Sequence, residues 1–457
     1  MPSTVAQVRP YAGDPVQAGM AASSKVLFVL VFGAVSFNLA LCFANTTVFH
    51  ISEFHVVACE ALILSLVFAV SYRSIEKVHL ILIGFTILWT LSFASVRFLL
   101  GSDKIIDIKI IRDLAIPIAF FLLGARARNA KTADTIVGIT VGAVLVLALF
   151  EYFWVEGFTR IFNVASYYIA RGTIEAHQIY QSSDLFVSGI RPAGAQGGRN
   201  LLPFIGDHRV SSLFLEPVSM GNFGVIAFMW GAVRSRFDDK LHLGTMLGAL
   251  AAIVAADSRF GAYLCVMTIL IMFLPQVWMT LAALILPAGA LAVLALVPLV
   301  VTGSYDPQNR YIDNGFVGRF VLSADILANF DFWTWFGLQA PRMQVFDSGY
   351  AYIISRIGIV GLAIFWVVLF SVRSPSRQFT TFRNLAAIYF GMILCVSNSP
   401  FTIKTGALLW FLVGVLAKGD SEQSLDAASE RREPYPDVAA RQPAGVAREA
   451  ISRAYGR

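Results

Sequence analysis

Charged side chains set within apolar runs mark where this chain could do chemistry. His208 and Arg209 precede Glu216 in HRVSSLFLEPVSMGNFG (208–224), and Asp257 and Arg259 share DSRFG (257–261). Arg319 lies near the end of YDPQNRYIDNGFVGRF (305–320), and Asp347, Tyr350 and Arg356 open DSGYAYIISRIGIVG (347–361). A charge at the centre of a membrane helix costs about 2.5–3.5 kcal/mol, so each calls for a partner or a task. Guanidinium groups grip a diphosphate bidentately without a metal, and a carboxylate can take the proton from a sugar hydroxyl. If residues 209–216 are helical, seven residues make about two turns. Arg209 and Glu216 then share a face, with Glu216 about 10 Å deeper, and Pro217 kinks the helix beside them. The plain alternative is a kinked helix whose Glu216 pairs with a distant arginine. Arg112 and Asp113, adjacent at the head of another apolar run, read as a mutually neutralising pair.

Other chemistries lack their motifs. The chain has no Walker A loop, HExxH, GxSxG or DxD, and its six histidines show no ligand spacing. Asp238 and Asp239 are adjacent in a polar linker and make a weak metal candidate. No metal and no cofactor is expected. Cys42, Cys59, Cys265 and Cys395 fall in or beside apolar runs and read as small buried hydrophobes.

The elements that must position these residues are membrane helices. Of 457 residues, 57% are hydrophobic and only 14% charged, with mean hydropathy +0.69, against roughly 25% charged in a soluble domain. Apolar runs lie near 26–44, 54–72, 78–96, 110–125, 135–155, 211–233, 241–257, 260–275, 277–301, 346–371, 384–398 and 402–418. The expectation is an all-α polytopic membrane protein of about twelve spans. Several runs are short, notably near 110, 241 and 260, as tilted, buried or re-entrant helices would be. The run from Val26 to Ala44 is long for a cleaved signal and reads as the first span.

The net charge of +6 fits basic cytoplasmic loops better than nucleic acid binding. Arg73 and Lys77, then Arg126, Arg128 and Lys131, then Arg234, Arg236 and Lys240, then Arg373, Arg377 and Arg383 fall in alternate loops. Both termini are therefore expected to be cytoplasmic, with 1–25 a cytoplasmic segment, 26–418 the membrane domain and 419–457 a disordered tail. Two long loops, about 156–210 and 302–345, would then be periplasmic, the first holding RPAGAQGGRN (191–200) and the second NFDFWTWFG (329–337). Aromatic-rich loops of this kind serve either as interfacial belts or as carbohydrate-binding surfaces.

With these features the chain resembles the O-antigen ligase/polymerase superfamily, the Wzy-type polysaccharide polymerases and related ligases. Three stretches carry the resemblance: HRVSSLFLEPVSMGNFG, DSRFGAYL and DSGYAYIISRIGIVGLAIF. It implies transfer of an undecaprenyl-diphosphate-linked glycan at the periplasmic face of the bacterial inner membrane. It further implies Arg209, Arg259 and Arg319 as diphosphate-binding residues, assisted by His208 and Tyr350, with Glu216 or Asp347 as the base. Pathway partners would be a chain-length regulator and a flippase. Ligases of the family place a His-Asn pair where Asp347 and Ser348 stand here, which favours polymerisation of repeat units over ligation. The rival reading is a flippase for the same lipid-linked oligosaccharide.

Overall fold

In hydrocarbon, backbone groups must be satisfied within their own segment, so a chain this apolar folds as helices. The computed structural model describes residues 22–417 except 73–74, 76, 103–108, 176–183, 188, 191–200, 239–241, 301–315, 344 and 346–347. RPAGAQGGRN, most of the second expected loop's start, Asp347 and the 419–457 tail lie outside the described residues.

The helices are α1 (Ser24–Thr47), α2 (Glu53–Ser71), α3 (Lys77–Leu99), α4 (Lys109–Gly124), α5 (Ala130–Phe153), α6 (Val155–Ile161), α7 (Val164–Ala170) and α8 (Pro217–Phe237). They continue with α9 (Leu243–Ala255), α10 (Arg259–Met272), α11 (Gln276–Val300), α12 (Phe316–Ala328), α13 (Phe332–Trp335), α14 (Gly349–Ser371), α15 (Arg377–Ile393) and α16 (Ile403–Ala417). Among the described residues there is no strand, only a single bridge between Ile190 and His208. Six helices are long and apolar enough to cross a membrane: α1, α2, α3, α5, α14 and the 276–298 part of α11. Among the described residues α9, α10 and α16 are apolar but shorter.

Burial sorts the helices into two classes. In α3, Leu80, Ile81 and Leu88 are exposed, and in α11 Val277, Leu281 and Ile285 are exposed. Apolar faces of this extent on a water-soluble chain would be a liability; against lipid they are the favourable surface. By contrast α8 is buried from Pro217 to Arg234 apart from Val218, and α16 from Ile403 to Leu416. These two helices, with α4 and α15, form the interior. Burial by other helices explains why α4 and α16 are short for spans.

Close backbone approach holds α4 on α16. A Cβ at Gly124 would stand 2.1 Å from the Phe411 carbonyl oxygen, and one at Gly414 2.0 Å from that of Phe121. Small residues permit such crossings where the hydrophobic effect supplies no attraction between helices. Gly414→Ala is expected to destabilise the protein by roughly 1–3 kcal/mol through overpacking, read as a lower melting temperature of the protein purified in detergent.

Helix α14 is broken. Gly358 has φ 73° and ψ 165°, so residues 349–357 and 359–371 form two helical segments. The break leaves carbonyls without helical partners, and two side chains from α3 take them. Arg97, fully buried, donates from Nη1 to the carbonyls of Ser355 (2.9 Å), Arg356 (3.0 Å) and Gly337 (3.3 Å). Trp89 Nε1 donates to Ile357 O at 3.2 Å. Gly337 is itself left-handed, at φ 73°, and its own Cβ would meet Gly358 N at 2.5 Å.

Candidate functional site

The segment 208–216 was expected to continue the helix that follows it, and the structure corrects this. Residues 212–214 form one 3-10 turn, Ser212 (φ 49°) and Leu215 (φ 59°) are left-handed, and α8 begins only at Pro217. Pro217 sits in the first turn, where its missing N–H costs nothing and its fixed φ suits the helix. It starts α8 rather than kinking it. Arg209 and Glu216 therefore do not share a helix face, and the depth difference inferred from helical spacing does not apply.

Glu216 is the N-cap of α8, where the helix N-terminus favours a negative charge. Its carboxylate accepts from Tyr168 OH on α7 (2.6 Å) and Ser219 Oγ (2.8 Å), and pairs with Lys404 Nζ of α16 at 2.5 Å. Lys404 is itself buried. The 3-10 turn at 399–401 places it: Asn222 Nδ2 of α8 donates to Ser399 Oγ at 2.7 Å, and Thr405 Oγ1 donates to Ser399 O. Burial and the adjacent Glu216 carboxylate push the Tyr168 phenol well above its ordinary value, so it stays a proton donor. Arg171 follows α7 and stacks over Tyr168 (5.3 Å to the ring centre) and Tyr167 (5.7 Å). Asn38 of α1 accepts from Tyr167 OH at 2.7 Å and from Arg171 Nη1 at 3.5 Å.

A second group adjoins this one. Arg112 and Asp113 do pair, through Nε (2.8 Å) and Nη2 (2.6 Å), and Arg112 Nη1 also reaches Glu60 of α2. Asp113 accepts from Tyr352 OH of α14 at 2.5 Å, and Lys109 and Arg356 lie over the Tyr352 ring at 5.7 and 6.0 Å. Helix α4 packs on both α2 and α16, which sets this group beside the helix that carries Lys404. Among the described residues, the two groups together bring Lys109, Arg112, Arg171, Arg356 and Lys404 near Glu60, Asp113 and Glu216.

The remaining expected residues are distributed around this centre. Arg209 is buried and donates from Nε to Ala256 O at 3.1 Å, against the turn between α9 and α10. That turn carries Asp257, left-handed at φ 48° and accepting from Leu201 N at 2.8 Å, and the half-buried Arg259. DSRFG is therefore the end of a turn and the start of a helix, with Ser258 capping α10. His208 Nε2 meets Glu151 at 3.1 Å. Tyr350 is fully buried and donates its hydroxyl to Gly391 O (3.0 Å), which ties α14 to α15. Arg319 is half-buried on α12, which packs on α11 and α14. Asp347 lies outside the described residues.

Glu60, Glu151, Tyr168 and Arg171 escaped the sequence reading. Glu60 and Glu151 each stand within an apolar run, so the criterion that selected Glu216 selects them equally. Tyr168 and Arg171 had no such signal, being two polar residues in a long loop. Asp134, Asp238 and His242 form the cluster with metal-ligand spacing among the described residues, but Arg234 Nη2 already lies 3.0 Å from Asp134 and 2.8 Å from Asp238. A guanidinium occupies the place a cation would take.

No known protein family, curated protein or solved structure matches the chain.

Proposed function

We propose that this membrane protein is a metal-independent glycosyltransferase that polymerises polyprenyl-diphosphate-linked oligosaccharide repeat units at the periplasmic face of the bacterial inner membrane. The observation that carries the reading is the gathering of Lys109, Arg112, Arg171, Arg356 and Lys404 with Glu60, Asp113 and Glu216, from α2, α4, the residue after α7, the cap of α8, α14 and α16. In the N-in, C-in topology, the ends of these helices that meet are the outer ones. Arg171 and Lys404, with Arg112 beside them, hold the diphosphate. The acceptor hydroxyl attacks the anomeric carbon, the carbon–oxygen bond to the phosphate breaks, and the diphosphate departs with the electron pair. The hydroxyl proton passes to a carboxylate, for which Glu216, beside the neutral Tyr168 phenol, has the position. Arg209, held against the α9–α10 turn, and Arg259, at the first position of α10, assist in holding the diphosphate.

The test is polymer formation by the purified protein from lipid-linked repeat units, without nucleotide or metal. Arg171→Gln leaves no carboxylate stranded, and it is expected to reduce polymer formation by on the order of a hundredfold. Full-length polymer from this variant at wild-type rate would overturn the assignment. One feature favours the second reading, a flippase: α14 is a broken helix, as helices lining transport pathways often are. A change in sidedness of the lipid-linked unit in proteoliposomes, with no polymer formed, would select it.

A further inference from the structure

Glu151, on the last turn of α5, has no exposed surface and no arginine or lysine beside it among its described contacts. Its carboxylate instead accepts from Ser211 N (3.0 Å to each oxygen), Ser211 Oγ (3.1 and 3.2 Å), Ser212 N (2.5 Å) and His208 Nε2 (3.1 Å). The backbone explains how two successive amides reach one carboxylate. Ser211 is right-handed (φ −110°, ψ −27°) and Ser212 left-handed (φ 49°), the pairing that turns consecutive N–H groups to one side and forms a concave anion site. A left-handed serine costs on the order of 1–2 kcal/mol, and the charge-assisted bonds to Glu151 offset it.

The nest is joined to the proposed centre by a chain of fixed groups. Arg209 N donates to Gly189 O (2.7 Å) and Val210 N to Ala255 O (3.0 Å), so the amides of 209–212 are all committed. Ser212 Oγ donates to Val144 O of α5 (2.7 Å). Three residues further on, left-handed Leu215 delivers Glu216 to Lys404. If the nest opens, the left-handed conformation at Ser212 loses its support, and the direction in which the chain enters α8 is no longer set.

We propose that Glu151 is the positioning residue of the site: as the anion of a backbone nest, it holds 208–216 in the conformation that presents Glu216 to Lys404 and Arg209 to the α9–α10 turn. This rests on the proposed polymerase reading for its consequence in activity, but not for the conformational claim.

The experiment compares wild type, Glu151→Gln, Ser211→Ala and the double variant Glu151→Gln/Ser212→Gly in nanodiscs. Hydrogen exchange of the peptide covering 208–216 and polymer formation are both measured. Loss of charge-assisted bonds predicts exchange faster by on the order of tenfold in Glu151→Gln, with a matching loss of polymer. Ser211→Ala, which removes only the hydroxyl donor, should shift exchange by a few-fold in the same direction. Glycine at 212 keeps the amide and removes the left-handed cost while giving up the hydroxyl bond to Val144, so the double variant should recover protection and activity together, in part. A residue that merely filled space would not be rescued by a glycine. Unchanged exchange in Glu151→Gln and Ser211→Ala, or a double variant no better than Glu151→Gln, would overturn the proposal. Wild-type protein that makes no polymer while the exchange pattern is as expected would sink the polymerase reading and leave the nest standing.

Discussion

Lys404→Met is expected to be the most damaging single change at the site, lowering stability by roughly 1–3 kcal/mol because it leaves the half-buried Glu216 carboxylate without its cation. Glu216 would keep its bonds from Tyr168 and Ser219, but no cation would face it at contact distance. Pairing the change with Glu216→Gln removes the stranded charge, so the double variant should recover most of the lost stability while remaining inactive. Thermal unfolding of the four proteins of this cycle in one detergent gives the coupling energy. Additive losses would show that Glu216 and Lys404 are not a coupled pair, and the proposed centre would lose its core.

Arg97→Met is expected to cost about 3–5 kcal/mol for a different reason. The side chain is fully buried and its Nη1 serves the carbonyls of Gly337, Ser355 and Arg356 at the break in α14. Methionine fills the space but donates nothing, leaving three carbonyls without that donor. The loss should concentrate in 349–358, so amide exchange there should accelerate well before the rest of the bundle loosens. Exchange that rises equally throughout, or not at all, would show that Arg97 does not hold the break. Arg356 and Tyr352 lie on the first segment of α14, so the same variant should weaken contacts at the Asp113 group.

The two cases divide the kinds of information that make this fold. Composition and apolar runs sufficed for helical class and for the membrane, because burial of apolar surface in lipid depends on residue type summed over about twenty positions. Charge inside apolar runs is costly wherever the chain runs, so Glu216 and the Arg112–Asp113 pair also stand out unaided. Spacing within 208–216 misled, since helical arithmetic assumes a helix. Two serines and a leucine there adopt turns and left-handed conformations that only the Glu151 carboxylate and neighbouring carbonyls stabilise.

By itself, then, the sequence determined that this is an all-α membrane protein and which charges need an account. Which charge meets which was decided by tertiary structure. Lys404 is 188 positions from Glu216 along the chain, and Tyr168 is 48 away. No local pattern encodes such pairings, because they arise where helix ends converge. The reason is physical: helix and burial are properties of short windows, whereas an ion pair in a low-dielectric interior is a property of two points that packing alone brings together.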